Sequence, residues 1–68
     1  MIIFDRLWDV MKERDISTYR LREMADLQSR TIKRLQNNLS VETKTLDRIC
    51  KALDCELSDI AEFVKDEK

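Results

Sequence analysis

The sequence contains no glycine, no proline and no histidine among its 68 residues, and it contains only two cysteines and four aromatic residues. Tight hairpin turns depend on glycine at positions of positive φ, so a sheet built from short hairpins is poorly supported. Leucine, arginine, lysine, glutamate and methionine are plentiful, and these residues favour helices. A chain of this length has room for one domain, 1–68, and buries roughly 60% of its unfolded surface. The composition therefore predicts an all-α single domain.

The same absences argue against an active site or a metal site. Cys50 and Cys55 have no histidine to join them, and two thiols alone do not close a structural zinc site. We expect both to be reduced and packed against the core. There is no glycine-rich phosphate loop and no nucleophile beside a base, and the carboxylates are scattered. We therefore predict no enzymatic activity, no cofactor and no small-molecule substrate.

No apolar run approaches the ~20 residues that cross a bilayer. The apolar start, residues 1–4, is followed at once by Asp5 and Arg6, unlike the core of a signal peptide. The sequence therefore predicts a cytoplasmic protein with no membrane partner.

The charge is unevenly distributed along the chain. The formal net charge is −1, which argues against attraction of the whole molecule to a polyanion. Residues 17–51 nevertheless hold eight basic and four acidic side chains, a net of +4, while the two flanks hold five basic and ten acidic, a net of −5. A basic middle between acidic ends is compatible with one nucleic-acid-binding face.

Apolar residues recur at helical spacing along most of the chain, and they predict five helices. The first, about eleven residues long, carries the stripe Phe4, Leu7, Trp8 and Met11, and we expect Trp8 to anchor the core. The others are predicted as follows: helix two, capped by Ser17 or Thr18, to about Met24; helix three from Gln28 or Ser29 to Gln36; helix four from Thr43 to Leu53; helix five from Ser58 to Val64. Residues 37–40 form a connection, and residues 65–68 are expected to fray.

Residues 17–36 predict two short amphipathic helices around a sharp turn. Their buried-type residues are Leu21, Met24, Ala25, Leu27, Ile32 and Leu35. Asp26 stands where the chain must reverse, and aspartate tolerates the left-handed conformation better than most residues with a Cβ. This spacing is typical of a helix-turn-helix.

The ordered set of these residues resembles the Cro/phage-repressor-like (XRE-type) DNA-binding domains, particularly their compact single-domain branch. The resemblance covers nearly the whole chain and rests on Leu21, residues 25–27, Thr31, Ile32, Leu35, residues 46–55, Asp59 and Ile60. It implies a five-helix lambda-repressor-like domain with the helix-turn-helix at helices two and three. It also implies a sequence-specific transcriptional regulator, by analogy a repressor.

Three positions depart from the family pattern. Asp26 stands where the family most often has glycine, and Thr18 replaces a frequent glutamine at the start of helix two. Arg22 occupies a position where a small residue usually permits close helix crossing, so we expect its stem to pack while its charge reaches solvent.

If helix three enters the major groove, its outer face meets the bases first. The predicted base-contacting residues are Gln28, Ser29, Arg30, Lys33 and Arg34. Arg30 and Arg34 lie one turn apart, and an arginine fork suits guanine O6 and N7. Gln28 is suited to adenine or to a role as helix cap. The alternative interpretation of Arg30, Lys33 and Arg34 is a basic helix face that is only exposed to solvent, as is common on surface helices.

Phosphate contacts are expected from the elements that border the groove. The predicted residues are Thr18, Tyr19, Thr31, Asn37, Asn38, Thr43 and Lys44, joined by backbone amides at helix starts. Thr31 has the alternative of a local cap, and Tyr19 that of a half-buried surface ring.

The resemblance implies double-stranded DNA as the partner, bound by a homodimer at a pseudo-palindromic operator whose half-sites lie about 34 Å apart. Ile2, Ile3 and Phe63 fall outside or at the margin of the core stripes, and they either form a two-fold contact or seal the small core. The acidic flanks leave a second function open. In that alternative the fold serves as a protein-interaction module, an antitoxin-like or anti-repressor partner.

Overall fold

The computed structural model describes residues 1–65, which form four α-helices, a 3-10 turn and a two-stranded sheet. In chain order these are β1 (Ile2–Ile3), α1 (Asp5–Glu13), α2 (Thr18–Ala25), α3 (Ser29–Gln36), α4 (Thr43–Leu53), the 3-10 turn (Leu57–Asp59) and β2 (Glu62–Phe63). Helix α2 packs against α4 and α3, and the 3-10 turn packs against α1 and α4. Within residues 1–65 no helix has the length and apolar character of a membrane span.

The bounds of the four helices agree with the sequence prediction to within a residue or two. Helix α2 begins after Ser17, whose Oγ accepts a hydrogen bond of 3.1 Å from the backbone N–H of Arg20. Helices α3 and α4 cover the predicted ranges, Ser29–Gln36 and Thr43–Leu53. The agreement follows from strong 3.6-residue periodicity combined with polar residues at each boundary.

The predicted fifth helix, from Ser58 to Val64, is wrong. Only Leu57–Asp59 form a 3-10 turn, and the chain then extends into β2, which pairs antiparallel with β1 in the register Ile2 to Phe63 and Ile3 to Glu62. The segment is too short to form a stable isolated helix, and pairing with β1 satisfies its backbone groups instead. The predicted frayed end lies, apart from Lys65, outside the described residues.

The core joins one apolar face from each helix to the 3-10 segment. Its buried members are Phe4, Leu7, Met11, Leu21, Ala25, Leu27, Ile32, Leu35, Ile49, Leu53 and Ile60. Trp8 is half-buried and packs against this cluster, as do the thiol residues Cys50 and Cys55, both of which are free. The prediction that Met24 is buried is wrong: it is 39% exposed, because the short helix α2 turns Leu21 and Ala25 inward.

Each of the four α-helices is followed by a residue in the left-handed conformation, and none of these residues is glycine. They are Asp15 (φ 58°), Asp26 (φ 56°), Asn38 (φ 55°) and Asp54 (φ 50°). In every case the next backbone N–H donates to the carbonyl five residues earlier, at distances of 2.8 to 3.1 Å. This is the long hydrogen bond of the Schellman motif, which satisfies the carbonyls at a helix end. Aspartate and asparagine therefore replace glycine at all four helix exits.

Asn38 also holds the end of α3 to the start of α1. Its Oδ1 accepts a 2.8 Å hydrogen bond from the backbone N–H of Phe4, in a partly buried contact between residues 34 positions apart. Phe4 is itself a buried core residue at the N-cap of α1. One side chain thus satisfies an amide that α1 leaves unpaired at its start.

We predict that Asn38→Ala lowers the free energy of unfolding by roughly 2 to 5 kcal/mol. Alanine pays about 1 to 2 kcal/mol in the left-handed conformation, and the Phe4 amide loses its acceptor at a cost of about 1 to 3 kcal/mol. Asn38→Asp keeps both the acceptor and the tolerance for positive φ, and serves as the matched control. Urea denaturation measures the difference. Equal stability of the two variants would contradict the role assigned to the Asn38 side chain.

Candidate nucleic-acid interface

The turn between α2 and α3 sets the direction of α3. Asp26 is the left-handed C-cap of α2, and the N–H of Leu27 donates 2.9 Å to the carbonyl of Arg22. Leu27 is buried immediately after the reversal, so the turn is held by both a hydrogen bond and the core. Asp26 thus adopts the left-handed conformation that was predicted for the residue at which the chain reverses.

Helix α3 has a buried face and a cationic face. Ile32 and Leu35 are buried, whereas the predicted base-contacting residues Gln28, Ser29, Arg30, Lys33 and Arg34 are all exposed. Within residues 1–65 no carboxylate forms an ion pair with Arg30, Lys33 or Arg34; the pairs seen are Arg6 with Glu62 and Lys51 with Asp47. The cationic charge of this face is therefore available to an anionic partner.

Arg34 differs from its neighbours on this face because its side chain has a partner within the chain. Its Nε and Nη2 both donate to the backbone carbonyl of Ser40, at 2.9 and 2.7 Å. The guanidinium keeps its charge, since the acceptor is neutral. The sequence gives no sign of this contact, because any residue supplies a backbone carbonyl.

The predicted phosphate-contacting residues surround the cationic face. Thr18 and Tyr19 begin α2, and Thr43 and Lys44 begin α4; all four are exposed, and Tyr19 is 64% exposed, which removes its alternative as a half-buried ring. Thr31 is half-buried. The structure thus places the first four residues at the starts of α2 and α4, and Thr31 on α3 itself.

The two asparagines after α3 already bind groups within the chain. Asn37 Nδ2 donates 2.8 Å to the carbonyl of Lys33, and Asn38 Oδ1 accepts from Phe4 as described above. Asn37 is exposed and Asn38 is half-buried. Both lie at the C-terminal end of α3.

The helix starts differ in how their first amides are satisfied. Ser17 caps α2, whereas the N-cap residues of α3 and α4, Gln28 and Glu42, make no side-chain cap hydrogen bond. Uncapped amides at a helix N-terminus carry partial positive charge and bind anions. The alternative role of Gln28 as a side-chain cap is therefore not seen in this structure.

A polar cleft runs between α3 and α4, and it adds residues that the sequence prediction did not single out. Glu42, Thr45 and Arg48 line it together with Arg30 and Thr31, and its volume is about 430 Å³. Arg48 and Lys44 stand four residues apart on α4, a spacing that puts both on one side of that helix. The spacing of Lys44 and Arg48 was the sequence feature from which a contribution of Arg48 to this surface could have been predicted.

The departure at Arg22 has a structural consequence. Arg22 is half-buried, and its Nε is buried with no hydrogen-bond partner within residues 1–65. The stem therefore packs as expected, but part of the guanidinium is buried as well. An unpaired buried donor of this kind costs about 1 to 3 kcal/mol.

No metal site is formed within the described part of the chain, where no three histidine, cysteine, aspartate or glutamate residues come together. Cys50 and Cys55 lie at the C-terminal end of α4, away from the helix start that carries Thr43. Burial and the neighbouring groups of Cys50 and Asp59 raise the pKa of the Cys55 thiol, which favours the neutral form.

Comparison with known proteins agrees with this architecture. Residues 6–66 match the model of the Cro/C1-type HTH DNA-binding domain. The crystal structure of the transcriptional regulator VanUg, Form II, superposes with a TM-score of 0.90 at 29% sequence identity, covering 96% of this chain and 87% of that one. No curated protein sequence matches. With a helix-turn-helix at α2 and α3 and a family match over almost its whole length, the chain belongs to the Cro/C1-type helix-turn-helix DNA-binding domains.

Proposed function

We propose that this protein is a sequence-specific regulator of transcription that reads the major groove of double-stranded DNA with α3. The observation that carries the proposal is the exposed face of α3, where Arg30 and Lys33 have no carboxylate partner within residues 1–65. Cationic side chains close to the phosphates supply affinity. Side chains that enter the groove discriminate between base edges. The similarity to the transcriptional regulator VanUg supports the regulatory role.

We assign base contacts to Gln28, Ser29, Arg30 and Lys33, because they stand on the N-terminal half and outer face of α3. The N-terminal part of a recognition helix reaches deepest into the groove. Arg30 is the principal candidate for guanine, whose O6 and N7 match the guanidinium fork. Arg34 is a separate case, since its fork already binds Ser40.

Phosphate contacts are assigned to the starts of α2 and α4, on either side of α3. Thr18, Tyr19, Thr43 and Lys44 are exposed there, and the first amides of α4 have no side-chain cap. Contacts from two flanking helices fix the depth and angle at which α3 enters the groove. Thr31, Asn37 and Asn38 complete the proposed set.

We further propose that the protein binds as a homodimer and acts as a repressor by occupying an operator. The support for pairing is an apolar patch formed by Met1, Ile2, Leu39, Phe63 and Val64, all of them exposed. β1 and β2 bring its first and last members together, and Phe63 is 70% exposed. Met1, Ile2 and Leu39 line one cavity, and a group of exposed apolar side chains is typical of a protein interface. Two copies joined through it would present two recognition helices to one duplex.

Replacement of Arg30 tests the proposed base contact. Sites selected from random duplex DNA by the wild-type protein should contain guanine in each half-site. Arg30→Ala should cost about 1 to 3 kcal/mol and relax the preference at that position. Fluorescence anisotropy on the selected site and on sites with guanine replaced measures both effects.

Lys51→Ala is the matched control for Arg30→Ala, because it also removes one exposed cation but one that already pairs with Asp47 at 3.2 Å. It should leave the base preference unchanged. An unaltered preference after Arg30→Ala would contradict the assigned face. Wild-type binding that does not weaken with added salt would instead favour the protein-interaction alternative.

Replacement of Phe63 tests the proposed pairing through the apolar patch. Phe63→Ser should shift the protein toward monomer and weaken binding to a two-half-site operator far more than binding to one half-site. Met24→Ser removes a comparable exposed apolar side chain on α2, outside the patch, and should change neither. Sedimentation velocity over a concentration series measures the first effect. A wild-type protein that binds two half-sites no more tightly than one would rule out the proposed pairing.

A further inference from the structure

One residue connects the recognition helix to the loop that leads into α4. The Arg34 guanidinium donates from Nε (2.9 Å) and Nη2 (2.7 Å) to the carbonyl of Ser40, and the Arg34 carbonyl accepts 2.8 Å from the N–H of Leu39. Arg34 thus contacts two successive loop residues, with its side chain and with its main chain.

The arrangement requires the shape of an arginine. Two N–H groups on one edge of the planar guanidinium both donate to a single carbonyl oxygen. A lysine ammonium has no such pair of donors in a fixed plane. An arginine that contacts guanine uses a fork of the same kind on O6 and N7. In this structure the Nε edge of Arg34 is already occupied, so a base contact through that edge requires both bonds to Ser40 to break.

The loop that Arg34 holds leads directly to proposed phosphate contacts. Ser40 is three residues before the start of α4, where Thr43 and Lys44 are exposed. Arg34, Ser40 and Glu42 line one shallow cleft of about 300 Å³ between α3 and the start of α4. Packing against α2 places the body of α4, and the path of residues 39–42 connects its first amides to the end of α3.

We infer that Arg34 is a positioning residue: it ties the recognition helix to the α3–α4 loop and so fixes the phosphate-contacting start of α4 relative to the base-contacting residues before DNA arrives. The inference deepens the proposed function and rests on it for the part that concerns DNA. It assigns base discrimination to Arg30 and Lys33, and orientation of the interface to Arg34. Preorganisation of this kind lowers the ordering cost of binding.

The first test uses the DNA-free protein. Proton NMR of arginine Nε–H groups should show slower exchange with water for Arg34 than for Arg30, because only the former is hydrogen-bonded to Ser40. Arg34→Lys should increase the mobility of residues 40–42 in ¹⁵N relaxation, whereas Lys51→Ala should not. Equal Nε–H exchange at Arg34 and Arg30, or an unchanged loop in Arg34→Lys, overturns the inference.

The second test uses the selected operator. Arg34→Lys keeps the charge, so the salt dependence should stay as in the wild type, while affinity should fall by about tenfold, the order expected when a charge-assisted hydrogen bond is lost. The loss should be equal for the operator and for single-base variants. A selective loss at one guanine would make Arg34 a base reader and overturn the inference. If the proposed function is wrong, the wild-type protein will show no salt-dependent binding to duplex DNA. The NMR test on the DNA-free protein does not depend on that result.

Discussion

The structure depends on four helix exits in the left-handed conformation made without glycine. At each exit an aspartate or asparagine has φ of 50° to 58°, and the backbone N–H of the next residue donates a hydrogen bond to a carbonyl of the preceding helix. The conformation costs about 1 to 2 kcal/mol at a residue with a Cβ, less where a short polar side chain can hydrogen-bond locally. The exit at Asp26 matters most for function, because it turns α3 so that Ile32 and Leu35 face the core while Arg30 and Lys33 face outward.

The arrangement of charge explains how a chain of net charge −1 is suited to a polyanion. The basic residues are concentrated between 17 and 51, and the cations of α3 have no ion pair within residues 1–65. The ion pairs that do form, such as Arg6 with Glu62, lie on other elements. The net charge of residues 17–51 is therefore opposite in sign to that of the whole chain, and a local cluster of one sign attracts a partner of the other.

Helix positions, the cap at Ser17 and the turn at Asp26 could be predicted because they depend on residues close in sequence. The β1–β2 pairing could not, since it joins Ile2 to Phe63 across nearly the whole chain and each strand is only two residues long. Of the predicted site residues on α3, Ser29, Arg30, Lys33 and Arg34 are exposed, whereas Thr31 is half-buried. The hydrogen bonds from Arg34 to the Ser40 carbonyl could not be predicted, because every residue has a backbone carbonyl and the sequence does not mark which one is used.

We propose that the outer face of α3 meets the bases while the starts of α2 and α4 meet the phosphates. Titration of ¹⁵N-labelled protein with the selected duplex maps amide chemical-shift changes onto the fold. We expect the largest changes at residues 28–34, 18–19 and 43–44, with small changes in α1 and the 3-10 turn. Changes centred on α1 or on the 3-10 turn, with α3 unaffected, would contradict it.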